Sequence, residues 1–270
     1  MIAWFQSLPL IPGAILVVGG FVLFSLLFAR LASRFAPVSV LAEHNELTGF
    51  IFAVVGVMYA VILGFITIGV WARFQAAEDR TFSEASSLAA VYRDAGAFAN
   101  GSRIRQDARA YVDTVIRVGW PLLERGGANP PTFTGAERLA REVRATRPRG
   151  EREDAIYASM LGDMDQALRD RDARVAEDSN GLNGVMWTVV FIGGFVTIAF
   201  TFFFGFRYTA LQNAMVGTLA FLTGLVIFLT MSLDYPLRGS VHVGPEAFLH
   251  ADYLFKRIDA VDPLPASQTP

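Results

Sequence analysis

The sequence contains no cysteine, only three histidines, and a single lysine, Lys256, among its 23 basic residues. Without cysteine the chain has no disulfide framework, no thiol nucleophile and no cysteine-based metal site. It also lacks a phosphate-binding glycine loop, an HExxH pair and a nucleophile elbow. These absences argue against an enzyme, and we expect no catalytic residues, no bound metal and no cofactor.

Charge is missing from four long stretches of the chain, residues 1–29, 47–72, 179–206 and 208–233. A bilayer core about 30 Å thick is crossed by roughly 20 apolar residues of helix, and each stretch is long enough to cross it. The whole chain is 53% hydrophobic and 18% charged, so apolar and charged residues are segregated along it. This segregation predicts an integral membrane protein.

We predict an all-α integral membrane protein with four transmembrane helices as two hairpins and a helical extramembrane domain inserted between spans two and three. The predicted bounds are 1–72 for the first transmembrane hairpin, 73–183 for the helical cytoplasmic domain, 184–233 for the second transmembrane hairpin, and 234–270 for a C-terminal tail with a short amphipathic helix. Beyond Gly69 no glycine or proline occurs until Gly96, so span two is expected to continue without a break past Arg73.

Two local features of the middle domain lead to specific expectations. Pro121 predicts a break in a helix, because proline has no backbone N–H to donate. The spacing of Asp165 from Arg169, and of Asp170 from Arg174, predicts two ion pairs at i,i+4 on one helix.

Arginines near the span ends predict the orientation, because such residues are enriched on the cytoplasmic side of a membrane. The side with the middle domain has six and the opposite side has three. We therefore expect a multi-pass protein of the bacterial inner (plasma) membrane, with the middle domain and both termini cytoplasmic. The six are Arg73, Arg80, Arg169, Arg171, Arg174 and Arg238, and the three are Arg30, Arg34 and Arg207.

Span two has two contrasting faces at 100° per residue. One carries small residues, which allow helices to approach closely, and its predicted role is helix packing within the chain or between subunits. The opposite face is bulky and is predicted either to line a hydrophobic constriction that gates a pore by dewetting or to face lipid. The small face includes Gly56, Ala60 and Gly64, and the bulky face consists of Val54, Met58, Val61 and Phe65.

The loop that enters span two contains Glu43, His44 and Glu46. Two carboxylates and an imidazole predict a divalent-cation site, a charged ring at a pore mouth, or only a solvated loop that caps a helix. The arginine-rich stretch 138–152 has interleaved glutamates and no aromatic residues, so we expect no nucleic-acid partner.

Four short motifs make the sequence similar to the bestrophin-like bacterial membrane proteins over nearly the whole chain. They are Trp71-Ala72-Arg73-Phe74, Glu84-Ala85-Ser86-Ser87-Leu88, Asn183-Gly184-Val185-Met186-Trp187 and Leu233-Asp234-Tyr235-Pro236-Leu237-Arg238-Gly239. The resemblance implies an oligomeric ion channel with cytoplasmic termini and a pore lined by the second span. Bestrophins are pentameric anion channels with an apolar neck of large side chains at i, i+4 and i+8. Met58 and Ile62, or Val54 and Met58, match this spacing only in part. No acidic cluster resembles the bestrophin calcium clasp, so calcium gating is not expected.

Several functions are compatible with these features. The first is a homo-oligomeric ion channel, anion-selective by the resemblance or cation-selective if Glu43 and Glu46 form an acidic mouth. The second is a membrane-anchored interaction or sensory protein without transport activity. The third is a transporter or membrane metalloenzyme that uses Glu43, His44 and Glu46, although no ionisable residue inside a span supports coupled transport. The expected partners are copies of the chain itself, the lipid bilayer and small inorganic ions.

Overall fold

The structure, a computed structural model, describes residues 8–32, 44–127, 130–179, 181–205 and 209–263, with no β-strand among them. The helices are α1 Leu10–Ala32, α2 Asn45–Asp94, α3 Gly101–Thr114, α4 Trp120–Glu124, α5 Pro130–Arg144, α6 Glu151–Ser179, α7 Gly184–Phe200, α8 Thr209–Leu233 and α9 Glu246–Val261. Helices α1, α2, α7 and α8 are long and apolar enough to cross a membrane. The prediction of an all-helical chain with four candidate spans is confirmed.

The chain divides into two compact units. The first unit is Met1–Arg73, Gly181–Asp234 and Gly239–Val241, and the second is Phe74–Asn180, Tyr235–Arg238 and His242–Pro270. Helix α2 is 50 residues long and changes unit after Arg73 without interruption. The expected continuation of span two past Arg73 is therefore confirmed.

In the first unit, α1 packs mainly against α8. Gly224 permits their close approach, because a Cβ there would lie 3.2 Å from Val18 Cα and 3.3 Å from Phe21 Cβ. The connections from α1 to α2 and from α7 to α8 include residues outside the described ranges. The pairing of the spans into two hairpins stays a prediction.

The core of the second unit forms where the later part of α2 meets α3, α5, α6 and α9. Helix α9 buries Phe248, Ala251 and Phe255 in this core. The Phe255 ring stacks on Tyr92 with 4.1 Å between ring centroids. Arg105, only 3% exposed, donates from Nε to the Tyr92 carbonyl at 2.9 Å and from Nη1 to the Asp262 carbonyl at 2.7 Å. These contacts hold both ends of α9 on the unit.

The predicted break at Pro121 is wrong. Helix α3 continues through a π-helical turn, Val115–Gly119, directly into α4. A π turn widens the helix and shifts its hydrogen-bond register, which accommodates a residue that cannot donate. The indole of Trp120, the residue before Pro121, lies in the core and donates to the Val243 carbonyl at 3.1 Å.

The two predicted i,i+4 ion pairs are also wrong. Asp165 Oδ1 lies 3.8 Å from Arg144 Nη2 on another helix. Arg169 donates to the side chain of Gln166 at 2.9 Å. Arg174 pairs with a glutamate on α2 instead of with Asp170, as described below.

Candidate pore helix and the clusters that hold it

One face of span two packs inside the first unit. Tyr59, Leu63 and Val70 are each at most 8% exposed. The Tyr59 hydroxyl donates to the carbonyl of Val190 on α7 at 3.0 Å. The Thr67 hydroxyl, on the edge of this face, lies 2.9 Å from the Thr230 hydroxyl on α8. These contacts fix the rotation of α2 relative to α7 and α8.

The Tyr59 ring fits only because Gly193 has no side chain. A Cβ at Gly193 would lie 2.5 Å from Tyr59 Cδ2, whereas a Cβ at Gly217 on α8 would meet nothing within 4 Å. We expect Gly193→Ala to lower the free energy of unfolding by about 2 kcal/mol through overpacking, and Gly217→Ala to leave it nearly unchanged. Thermal unfolding of the detergent-solubilised variants measures both. Equal midpoints for the two variants would contradict this account of the Tyr59 contact.

The face of span two opposite to Tyr59 and Leu63 is exposed. The four residues predicted to line a pore are all large and apolar, yet each is exposed in the described chain. Their exposed fractions are 47% for Val54, 61% for Met58, 50% for Val61 and 72% for Phe65. In a membrane such a surface is covered by lipid or by another chain, or it lines a pore.

The small-residue face lies between the packed and bulky faces. At Gly56 and Gly64 an added Cβ would meet nothing within 4 Å, and Ala60 is exposed. The described residues of a single chain therefore supply no close helix neighbour at this stripe. Helix packing at these three positions, within the chain or between subunits, stays a prediction.

At the start of α2, Asn45 bridges to the end of the α7 segment. Its side-chain amide donates to the Gly205 carbonyl at 3.1 Å and its Oδ1 accepts from the Gly205 N–H at 2.9 Å. His44 and Glu46 on either side are exposed. Glu43, the third residue of the predicted mouth, lies outside the described residues. Within the described ranges, no group of three His, Asp or Glu is arranged to hold a metal ion.

At the other end of the spans, Asp234 joins three segments. Its carboxylate, 1% exposed, accepts from the Leu182 N–H at 2.6 Å and from the Trp187 indole at 3.3 Å, and Arg73 Nη1 lies 3.9 Å away. Burial raises the pKa of Asp234 above its ordinary value, and the two N–H donors and Arg73 oppose that rise. Three of the motifs noted in the sequence thus meet at one point.

The raised pKa of Asp234 makes stability depend on pH. Stability associated with the neutral carboxyl is present below the ordinary pKa of 3.8 and is lost as pH rises through the folded-state pKa. Asp234→Asn removes this loss, so we expect the thermal midpoint of the variant to rise relative to the wild type between about pH 4 and pH 7. Thermal unfolding across that range measures the difference. A difference that is constant with pH would show that Asp234 is not responsible.

Farther along α2, in the second unit, Glu84 and Arg174 form an ion pair with both side chains 0% exposed. Arg174 donates from Nε to Glu84 Oε2 at 2.9 Å, and the Tyr111 hydroxyl donates to Glu84 Oε1 at 2.5 Å. The guanidinium lies over the rings of Trp120 and Phe248, 5.0 and 5.5 Å from their centroids. Burial alone lowers the pKa of Arg174, but Glu84 and Tyr111 more than offset this, so the pKa is raised and the charge is retained.

Sequence reasoning missed this pair, although a signal was present. Glu84 falls in a stripe of buried positions on α2 that repeats every three or four residues. A carboxylate within such a stripe indicates a buried polar partner, because an unpaired buried charge is too costly. The stripe comprises Ala77, Thr81, Glu84, Leu88 and Val91.

Comparison with known proteins places this geometry in a family. A family model described as the Bestrophin-like domain matches residues 19–248. The structure of a bacterial bestrophin homologue from Klebsiella pneumoniae, carrying one substitution, is similar with a TM-score of 0.61 at 14% identity, covering 90% of this chain and 99% of that one. A second variant of a bestrophin homologue from that organism gives 0.56 at 14% identity, covering 88% and 98%. No curated protein matches the sequence. At these identities the structural likeness shows the fold.

Proposed function

Because the chain belongs to the bestrophin-like family, we propose that it is a homo-oligomeric ion channel in which ions permeate passively along a pore lined by α2. The permeant ions are anions, by the resemblance to bestrophins. The observation that carries the proposal is the exposed apolar face of α2, which is opposite to the face packed against α7 and α8.

The exposed face has the properties of a hydrophobic constriction. Residues 47–72 contain no charged side chain, so a pore lined by this helix has no strong binding site to trap an ion. A narrow ring of large apolar side chains excludes water, and small changes in its radius or polarity switch conduction. Val54, Met58, Val61 and Phe65 supply such side chains over three helical turns.

The small-residue face supports assembly of several copies around an axis. Gly56, Ala60 and Gly64 lie beside the bulky face and have no close neighbour among the described residues of their own chain. When bulky faces point to an axis, the small faces allow α2 helices of adjacent copies to approach closely. We propose these residues as contacts between subunits.

The proposal includes a topology for the bacterial inner membrane. The spans form two hairpins, and residues 73–183 form a cytoplasmic helical domain on the same side as both termini. Glu43, His44 and Glu46 then lie at the opposite mouth of the pore. An acidic mouth favours cations, and the exposed Glu46 is the described feature that supports cation selectivity as the alternative.

Flux through reconstituted protein tests the proposal. Purified oligomer in liposomes is expected to dissipate an imposed chloride gradient, and particle images of the same preparation count the subunits. Potassium flux without chloride flux would favour the cation-selective alternative. Flux of neither ion through a folded, reconstituted oligomer would reject the channel and favour a membrane-anchored interaction protein.

A further inference from the structure

A cleft opens in the first unit between the last turns of span two and the segment that leads into α7. Its volume is about 470 Å³, which is large enough for part of an elongated ligand. Its lining includes Ile66, Gly69, Arg73, Leu182 and Met186.

The cleft has apolar walls and one charged residue. Met186 on α7 is 48% exposed, so it presents apolar surface rather than being buried by the chain. Arg73 is the first charged residue after the uncharged stretch 47–72, which places it where the span reaches the edge of the bilayer core. Arginine at that depth extends its guanidinium toward the headgroups and keeps its stem on apolar surface.

The charge of Arg73 is only partly neutralised within the chain. Its Nη1 lies 3.9 Å from Asp234, at the outer limit of an ion pair, and its side chain is 31% exposed. The Asp234 carboxylate already accepts shorter bonds from Leu182 and Trp187. The guanidinium therefore has donors available for a second anion beside the cleft.

We propose that this cleft binds an anionic phospholipid, whose headgroup phosphate contacts Arg73 and one of whose acyl chains lies along Ile66, Gly69 and Met186. The positive charge of Arg73 selects an anionic headgroup, and the apolar walls of the cleft favour an acyl chain. A free phosphate ion would contact only Arg73, so we do not expect it to bind. This proposal is independent of ion conduction, because it needs only the membrane and the first unit.

Blocking the cleft tests the acyl-chain contact. An added Cβ at Gly69 meets nothing within 4 Å, and the same is true of Gly217 on α8. Gly69→Leu fills the cleft, and Gly217→Leu is its matched control.

Native mass spectrometry of detergent-solubilised protein, titrated with phosphatidylglycerol and with phosphatidylcholine of identical chains, measures the bound lipid. We expect the wild type to retain phosphatidylglycerol about fivefold more than phosphatidylcholine. Gly69→Leu should lose at least that factor, and Gly217→Leu should match the wild type.

Two further experiments test the headgroup contact with Arg73 and the need for acyl chains. Arg73→Gln should bring the two lipids to equal retention, whereas Arg73→Lys should keep most of the preference. Glycerol phosphate, which has the headgroup but no chains, should not displace the bound lipid. Equal retention of both lipids by the wild type, or unchanged retention by Gly69→Leu, would overturn the proposal. Dissociation of the oligomer by Gly69→Leu but not by Gly217→Leu would overturn it as well, since the cleft would then be covered by a second copy.

Discussion

Replacing Arg174 by Met is expected to lower the free energy of unfolding of the second unit by about 3–5 kcal/mol. The substitution leaves Glu84 buried without its cation, and breaking a buried pair on one side costs this much because the remaining charge is not solvated. The Tyr111 hydroxyl still donates to Glu84, but one neutral donor does not replace a guanidinium. Chemical denaturation followed by tryptophan fluorescence measures the loss, since Trp120 lies against Arg174.

Two variants make this prediction specific to the pair. Arg169→Met on the same helix removes an exposed arginine that contacts Gln166, so we expect a change within about 0.5 kcal/mol. The double variant Glu84→Met with Arg174→Met removes both charges, and apolar replacement of a buried pair is often nearly neutral. It should therefore be more stable than either single variant. A double variant that loses the sum of the single effects would show that the two residues do not interact.

Met58→Ser is expected to raise chloride flux at least about tenfold. In the proposed pore Met58 belongs to the constriction, and a hydroxyl in place of an apolar side chain stabilises water there. A factor of ten requires only about 1.4 kcal/mol, less than the hydrophobic free energy of a large apolar side chain. Efflux of chloride from liposomes that contain equal amounts of folded protein measures the change.

Met215 on α8 is a matched control for Met58. It is 52% exposed against 61% for Met58, and it lies in another uncharged span. Met215→Ser should leave flux within about twofold of the wild type, because the proposed pore is lined by α2 and not by α8. Equal increases in both variants would indicate a leak caused by destabilised spans and would contradict a constriction at Met58.

The spans and the length of α2 could be predicted from the sequence because they depend on local composition. A bilayer excludes charge from every residue of a span, so uncharged runs of this length mark membrane helices without knowledge of tertiary contacts. The unbroken passage of α2 beyond Arg73 follows similarly from the absence of glycine and proline between Gly69 and Gly96.

The buried pair could not be predicted because its members are 90 residues apart in sequence. Spacing rules on a single helix assigned Arg174 to Asp170, whereas packing brings it to Glu84.

The predicted membrane orientation is affected by the same packing. Arg171 and Arg174 are 6% and 0% exposed, so two of the six arginines on the middle-domain side are not surface charges, and the bias falls to four against three.

The candidate pore face was only partly predictable. Periodicity distinguishes a small face from a bulky face on span two, but it does not show which face meets the rest of the chain. The structure identifies a third face, that of Tyr59, Leu63 and Val70, as the packed one. The bulky face lies on the side of α2 opposite to this packed face. In the proposed oligomer, that side faces the central axis.

The central claim is that Met58 faces a permeation path, and cysteine modification tests it most directly. The native chain has no cysteine, so a thiol introduced by Met58→Cys or by Met215→Cys is unique. A bulky, negatively charged, water-soluble methanethiosulfonate reagent should strongly reduce chloride flux in the Met58→Cys variant, because the attached group narrows the path and repels anions. It should leave flux in the Met215→Cys variant unchanged. Complete modification of the Met58→Cys variant, verified by mass, with chloride flux intact would contradict the account.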